Sequence, residues 1–480
     1  LNGLTSADRH PHDHHPRDYD PRDFGAVGDG TTKDTASLQA ALDACGDAGG
    51  GRVVVEHGTY LTGTLFLRSR VELHIAASAR LLGSADIQDY PEGVHHNRYR
   101  NEPDLDRCLL FAEDVEHVTL SGPGQIDGNG PAFPRLGPPP RAMMLRTLRA
   151  SHVRVRDLQL LDSPGWTTAF LDSRWIWVEN VRIRNESNFN GDGLNFDGCE
   201  HVYVRGCHIT GTDDNICLQS SSHEYPTRDV HISDCELSSI CAGIRIGLKS
   251  IGTISDVTVQ GVTMTRVLRE GVKIECTEGG TITRIAISDL VMHDVRRPLW
   301  LLLNNRFEPD GLGSSKELDR MPAIGELSHI RISGLTAVDS EEMSREQWRF
   351  DHDVQGAPEF AGMRVDAAST APIRYLTLRD ITYIPWGGVQ TPSHPLEDYP
   401  EVVDGLRGST DGASSNYYPT WSRTTFLDVR NVEQLRLEGI LLEAQQPDAR
   451  PPYLVEGCTV LAEDVTVVTA PGPRGPVTRT

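Results

Sequence analysis

The sequence is short of positive charge, aromatic rings and long apolar runs. Lys and Arg number 46 against 68 Asp and Glu over 480 residues, a formal net charge of −22. Nucleic-acid affinity comes largely from Lys and Arg displacing counterions, so this balance argues against a nucleic-acid partner. It also makes a strongly anionic polymer an awkward substrate unless a local basic patch exists. No apolar run approaches the roughly 20 residues that span a bilayer, so a soluble protein with no membrane partner is expected. No signal-peptide pattern stands at the start, where the first residue is Leu1. No CxxC spacing supports a zinc site. The nine cysteines are an odd number, and six of them, Cys199, Cys207, Cys217, Cys235, Cys241 and Cys276, fall in apolar alternating stretches. They read as small reduced core residues, not a disulfide framework. The tract His10 to His15 holds four histidines beside prolines. It reads as part of a disordered leader over 1–22 more readily than as a metal grip, and 471–480 reads as a flexible tail.

What the sequence has in abundance is one short alternating pattern. Two aliphatic positions separated by one residue recur as Val118/Leu120, Val153/Val155, Ile176/Val178, Val202/Val204, Val230/Ile232, Val257/Val259, Ile285/Ile287, Ile330/Ile332, Leu376/Leu378 and Leu435/Leu437. From Ile176 to Ile285 the intervals are 26, 28, 27 and 28 residues, room for about three short strands and their turns. Alternation sends one side chain inward and the next outward, and Gly, Asn or Asp after each run supplies the turn. A propeller blade needs roughly 40 residues, so the spacing favours an all-β parallel solenoid, its inward aliphatics stacked into one core. A solenoid end must be covered. Asp34 to Ala48 fits a capping helix, with Asp34 as N-cap, Leu38, Ala41, Leu42 and Cys45 at helical spacing, and Gly46 and Gly49 to Gly51 as the stop. After Ile285 the intervals lengthen to 45, 46 and 59, so later turns carry excursions near 304–327, 338–374 and 385–423. These hold Trp386, Tyr417, Tyr418 and Trp421, and either line a cleft or cover the sheet.

The most informative stretch is Asn190-Gly-Asp192-Gly-Leu-Asn195-Phe-Asp197, followed by Gly211-Thr-Asp213-Asp214-Asn215. Asp192 and Asp213 are 21 residues apart, slightly under one repeat, which predicts equivalent edges of neighbouring coils about 4.8 Å apart. Carboxylates that close repel, and at least one pKa rises. A protonated carboxyl beside an ionised one is what glycoside hydrolysis requires. Adjacent Asp213 and Asp214 can both serve only if the backbone turns there. Turn capping and calcium binding remain open readings of the same residues, and Asn195 and Asp197 read as turn or supporting residues.

These residues resemble glycoside hydrolase family 28, the polygalacturonases and related pectin hydrolases. The resemblance begins at Asp23-Phe-Gly-Ala-Val-Gly-Asp-Gly30, continues through Asp34-Thr35, Gly49 to Gly51, Gly58-Thr-Tyr60, Asp89-Tyr90-Pro91 and Ser163-Pro-Gly-Trp166-Thr167, and then covers both acidic motifs. It implies a single-stranded right-handed parallel β-helix that hydrolyses a glycosidic bond with inversion, without metal or cofactor. It makes Asp213 the general acid, Asp192 and Asp214 bases positioning water, and Asn190 a supporting residue. Departures are as telling. Where the family places Gly-His-Gly this chain reads Cys241-Ala-Gly, and its Arg-Ile-Lys falls on Lys273-Ile-Glu275. The lysine often found after the acidic pair corresponds to Gln219. A glutamate repels an anion and accepts hydrogen bonds from hydroxyls, which points away from plain homogalacturonan. Arg245 or Lys249 would be the replacements for the lost charge, and Lys273 reads alternatively as a partner of Glu275 or Asp214. Cys241 reads as a packed thiol. Trp166 is the aromatic with motif support for stacking on a sugar.

The expectation is therefore a glycosidase with one catalytic domain over 23–470, acting as a monomer on a carbohydrate. Asp192, Asp213 and Asp214 carry the chemistry, and Asn190, Gln219, Cys241, Arg245, Lys273, Glu275 and Trp166 bind substrate. The rivals are a lyase or epimerase on the same scaffold and a non-catalytic carbohydrate-binding solenoid. The resemblance implies an extracellular setting, whereas nine reduced thiols imply the cytoplasm.

Overall fold

The repeat is visible directly in the strand pairing. The computed structural model describes residues 18–93, 97–100, 102, 106–135, 140–305, 314–320, 322–345, 348–350, 353–355, 361–390 and 425–470. The expectations for the tail, for Tyr417, Tyr418 and Trp421, and for the His10 to His15 tract lie outside these residues. Each aliphatic run pairs parallel with the next copy at the interval read from the sequence: Ile176 with Val202, Val202 with Val230, Val230 with Val257 and Val257 with Ile285. The longer intervals hold as well, with Ile285 opposite Ile330 and Ile330 opposite Leu376. Two further parallel ladders run beside the first. One aligns Ile183, Ile209, Leu237 and Met264, and the other Leu194, Ile216, Ile244 and Val272. The fold is all-β, and each turn of chain contributes three strands to one sheet.

The inward residues of these ladders are fully buried, among them Ile176, Val202, Val230 and Ile216 at 0% exposure. One hydrophobic cluster runs through the stack from Ala26 to Ala444. Full burial of such a side chain contributes about 1.5–3 kcal/mol. The turn after the first strand has its own rule. Asn180, Gly206, Asp234, Gly261, Asp289, Gly334, Asp380 and Gly439 succeed one another there, all left-handed with φ between 50° and 65°. Asn and Asp tolerate that conformation and Gly adopts it freely. At Gly206 glycine has a steric cause: a Cβ there would stand 2.7 Å from Asn180 Oδ1.

The N-terminal helix spans Thr35–Asp47 and buries Leu38, Ala41, Leu42 and Cys45. Asp34 stands at its N-cap but does not cap it. The carboxylate instead accepts the amides of Val27 at 2.7 Å and Gly28 at 3.0 Å, pinning the preceding loop. Gly46 lies inside the last helical turn, so the stop comes at Ala48. The expected leader also reached too far. Asp18–Tyr19 is already a strand paired with Gly51–Thr62, with Asp18 held by Arg52 at 2.7 Å, a two-residue strand too short to show alternation. The nine cysteines are free thiols, eight of them buried.

Candidate active site

The acids sit where the chain enters the third strand of each turn. Asp192 lies two residues before Leu194–Asp197, Asp214 two before Ile216–Ser220, and Glu270 two before Val272. Gly193 N donates to Asp214 O at 3.0 Å, so Asp192 and Asp214 occupy successive rungs. This corrects the expected pairing: the register partner of Asp192 is Asp214, 22 residues on, and Asp213 precedes it. Strand His208–Gly211 has ended before Asp213, so the strict alternation that would separate the two neighbours never applies. Asp213 Oδ1 accepts the Asp214 amide at 2.9 Å. Side chains on the strand that follows form a polar row through Asn195, Cys217, Arg245, Lys273 and Trp300.

The three carboxyls have unequal environments. Asp192 is 3% exposed, and burial, with the charges of Asp213, Asp214 and Glu102, pushes its pKa well above the ordinary carboxylate value. Among the described residues its carboxylate accepts one hydrogen bond, from Asn195 Nδ2 at 3.3 Å. Asp213 is partly exposed. Burial and the Asp214 charge raise it to about 6, against the opposing pull of Arg245 and Arg269. Burial also acts to raise Asp214, but Arg245 Nη1 at 2.9 Å and the Lys273 charge outweigh it and hold this carboxyl below its usual range. The Cys241 thiol lies against Asp213 and Asp214, and burial keeps its pKa well above normal. Ligand atoms of Asp213, Asp214 and Cys241 lie within 4.8 Å of one another.

Behind the acids runs a buried chain of ions. Arg245 places Nε at 3.1 Å and Nη2 at 2.6 Å from Glu275 Oε2. Lys273 Nζ lies 3.5 Å from Glu275 Oε1 and 3.4 Å from Glu270 Oε2. Arg297 reaches Glu270 Oε1 at 3.0 Å. Burial alone would raise Glu270, but Arg297, Lys273 and Arg269 bring it down to about 2. Sequence reading missed Arg269, Glu270 and Arg297 as members of this site, and also Glu102. The signal for Glu270 was its position two repeats beyond Asp214, immediately before Gly271.

Among the other expected site residues, Gln219 is buried beside the row and donates Nε2 to Cys217 Sγ at 3.1 Å. Asn190 is turned elsewhere, its Oδ1 accepting Arg141 Nη2 at 2.8 Å. Trp166 is 2% exposed in a satellite cluster with Tyr99, Cys108 and Met143, so it offers no open face to a sugar. Lys249 is fully buried, its Nζ 5.2 Å from the Trp166 ring centroid and 4.6 Å from that of Tyr99, and it pairs with Glu102 at 3.4 Å. Asp197 and Asn195 lie on the strand, not in a turn. Asp197 accepts the Tyr99 hydroxyl at 2.7 Å and the Ser221 amide at 2.8 Å.

This geometry lies within the stretch that matches a known family: residues 51–316 fit the model for glycosyl hydrolases family 28. The chain belongs to that family. Family 28 relatives include a probable polygalacturonase of Vitis vinifera, 27% identical over 59% of this chain and 64% of that protein. A polygalacturonase of Persea americana is 25% identical over 65% of this chain and 67% of its own. The match thus spans about two thirds of these relatives' length. Among solved structures, a hyperthermoactive exopolygalacturonase from Thermotoga maritima superposes with a TM-score of 0.62 at 20% identity, covering 77% of this chain and 87% of that one. That likeness is one of fold.

Proposed function

We propose that the protein is an inverting glycosidase acting on a pectic or related polysaccharide or its oligomers. The observation that carries this reading is the pair Asp213 and Asp214: a partly exposed carboxyl raised to about 6 beside one held ionised by Arg245. Asp213 protonates the departing glycosidic oxygen, and Asp214, with Asp192, takes the proton of the attacking water. Exposure distinguishes Asp213 from Asp192, whose carboxyl is also raised but is buried away from a leaving group. Asp192 serves as base only after losing its proton. The nearest ligand oxygens of Asp213 and Asp214 lie within 4.8 Å. Retaining pairs are typically about 5 Å apart and inverting ones about 6.5–9.5 Å, so inversion rests on family membership and on Asp192 as the more distant base.

The same reading takes the chain as a right-handed, single-stranded parallel β-helix over 23–470, one catalytic domain acting as a monomer, with Thr35–Asp47 closing its N-terminal end. The continuous core from Ala26 to Ala444 and the helix residues buried within it support this. The test is a reducing-end assay over pectic, rhamnogalacturonan and neutral glycans, with the first-formed anomer followed by NMR. New reducing ends of inverted configuration are expected, and Asp213→Asn should lower kcat by about a hundredfold or more. Unsaturated, ultraviolet-absorbing products would place the protein among lyases instead.

A further inference from the structure

We propose that the sugar seated against Asp213 and Asp214 carries no carboxylate, and that Glu275 sets this selectivity by holding Arg245 and Lys273 in internal ion pairs. The inference rests on the hydrolase reading and names its substrate class. The cations that act on the acid pair are Arg245, Arg269 and Lys273. Glu275 takes up two of them, one per oxygen: Oε2 receives both Nε and Nη2 of Arg245, and Oε1 faces Lys273 Nζ at 3.5 Å. The third nitrogen of that guanidinium, Nη1, is committed to Asp214 at 2.9 Å. Arg269 lies 3.8 Å from Glu270, which also faces Lys273 and Arg297. A uronate drawing on any of these cations would leave a buried glutamate or Asp214 short of its counter-charge, which is strongly unfavourable.

A second, independent observation concerns hydrogen-bond sense. Asn195 Oδ1, Asp214 Oδ1 and Gln219 Oε1 are buried acceptors with no hydrogen-bond partner among the described residues, while Trp300 Nε1 and Asn215 Nδ2 are buried donors without one. The amide nitrogens are already directed inward, Asn195 Nδ2 to Asp192 and Gln219 Nε2 to Cys217, so the oxygens are the free ends. Buried acceptors require donors. Sugar hydroxyls and water donate, whereas an ionised carboxylate only accepts. The acceptors beside the acid pair, Asn195 Oδ1, Asp214 Oδ1 and Gln219 Oε1, therefore suit hydroxyls.

The experiment uses a pectic oligosaccharide and its carboxyl-reduced counterpart, identical except at C6. Affinity for each is measured by calorimetry on the 480-residue Asp213→Asn protein, with and without Glu275→Gln, and kcat/KM on the active chain. The carboxyl-reduced form is expected to bind at least about tenfold tighter, and Glu275→Gln to shrink that ratio as Arg245 and Lys273 become available to the uronate. Equal affinity, preference for the uronate, or binding of neither oligomer overturns the inference. If Glu275→Gln fails to fold by circular dichroism, the ratio on the Glu275 protein decides alone. Preference for the reduced oligomer without release of reducing ends would uphold this inference while removing the hydrolase reading.

Discussion

At the scale of single residues, the account depends on how the fold divides protons among three neighbouring carboxyls. Asp213, raised to about 6, must be protonated to act as the acid, so activity should fall as pH rises through that value. Asp214, held low by Arg245, stays ionised well into acid, whereas Asp192 must lose its raised proton to act as base, so the acidic limb should follow Asp192 and lie above the ordinary 3.8 of a free carboxyl. A pH series of kcat/KM should therefore be bell-shaped on the acid side of neutrality. A maximum above pH 8 would contradict it. Asp192 makes a separate prediction. Its folded pKa is raised, so the native state loses stability as pH climbs above the unfolded value of 3.8 toward the folded one. Asp192→Asn removes the charge that burial disfavours. It should abolish turnover yet raise stability at neutral pH, read as an increase in Tm. The acidic motifs were legible because their residue types and spacing are local. Glu270 and Glu102 were not, since the partners that reveal them, Arg297 and Lys249, are far along the chain.

At the scale of elements, the strands were legible and the turns half so. Aliphatics spaced two apart and repeated every 26–28 residues translate directly into paired rungs, because inward positions must coincide for the core to close. The alternation of Asn or Asp with Gly at the following turn is in the sequence too. Its reason at Gly206 appears only when Asn180 is seen lying over that residue. Gly206→Ala should therefore cost about 1–3 kcal/mol, measured by denaturant unfolding, since it combines left-handed backbone with a Cβ too close to Asn180 Oδ1. The helix was legible from its apolar spacing. The true role of Asp34 was not, because its carboxylate bonds backward to Val27 and Gly28, a contact set by the path of the preceding loop.

At the scale of the whole molecule, an overall charge of −22 coexists with a cation-rich interior behind the acids. Composition suggested that anions would be unwelcome, and the ion chain gives that suggestion a local cause. Arg245 and Lys273 set the charge of Asp214, so the proposed mechanism calls for no metal. Incubation with a chelator should leave the rate unchanged, and loss of activity restored by calcium would return the site to the cation-binding reading. The most direct measurement of the central claim needs no substrate. In protein labelled with 13C at aspartate carboxyls, an NMR titration should show a signal with a midpoint near 6 that is absent in Asp213→Asn, apart from that of buried Asp339 near 7. If no carboxyl besides Asp339 titrates above about 5, or if the signal near 6 persists in that variant, the unequal sharing of protons on which the mechanism depends does not exist.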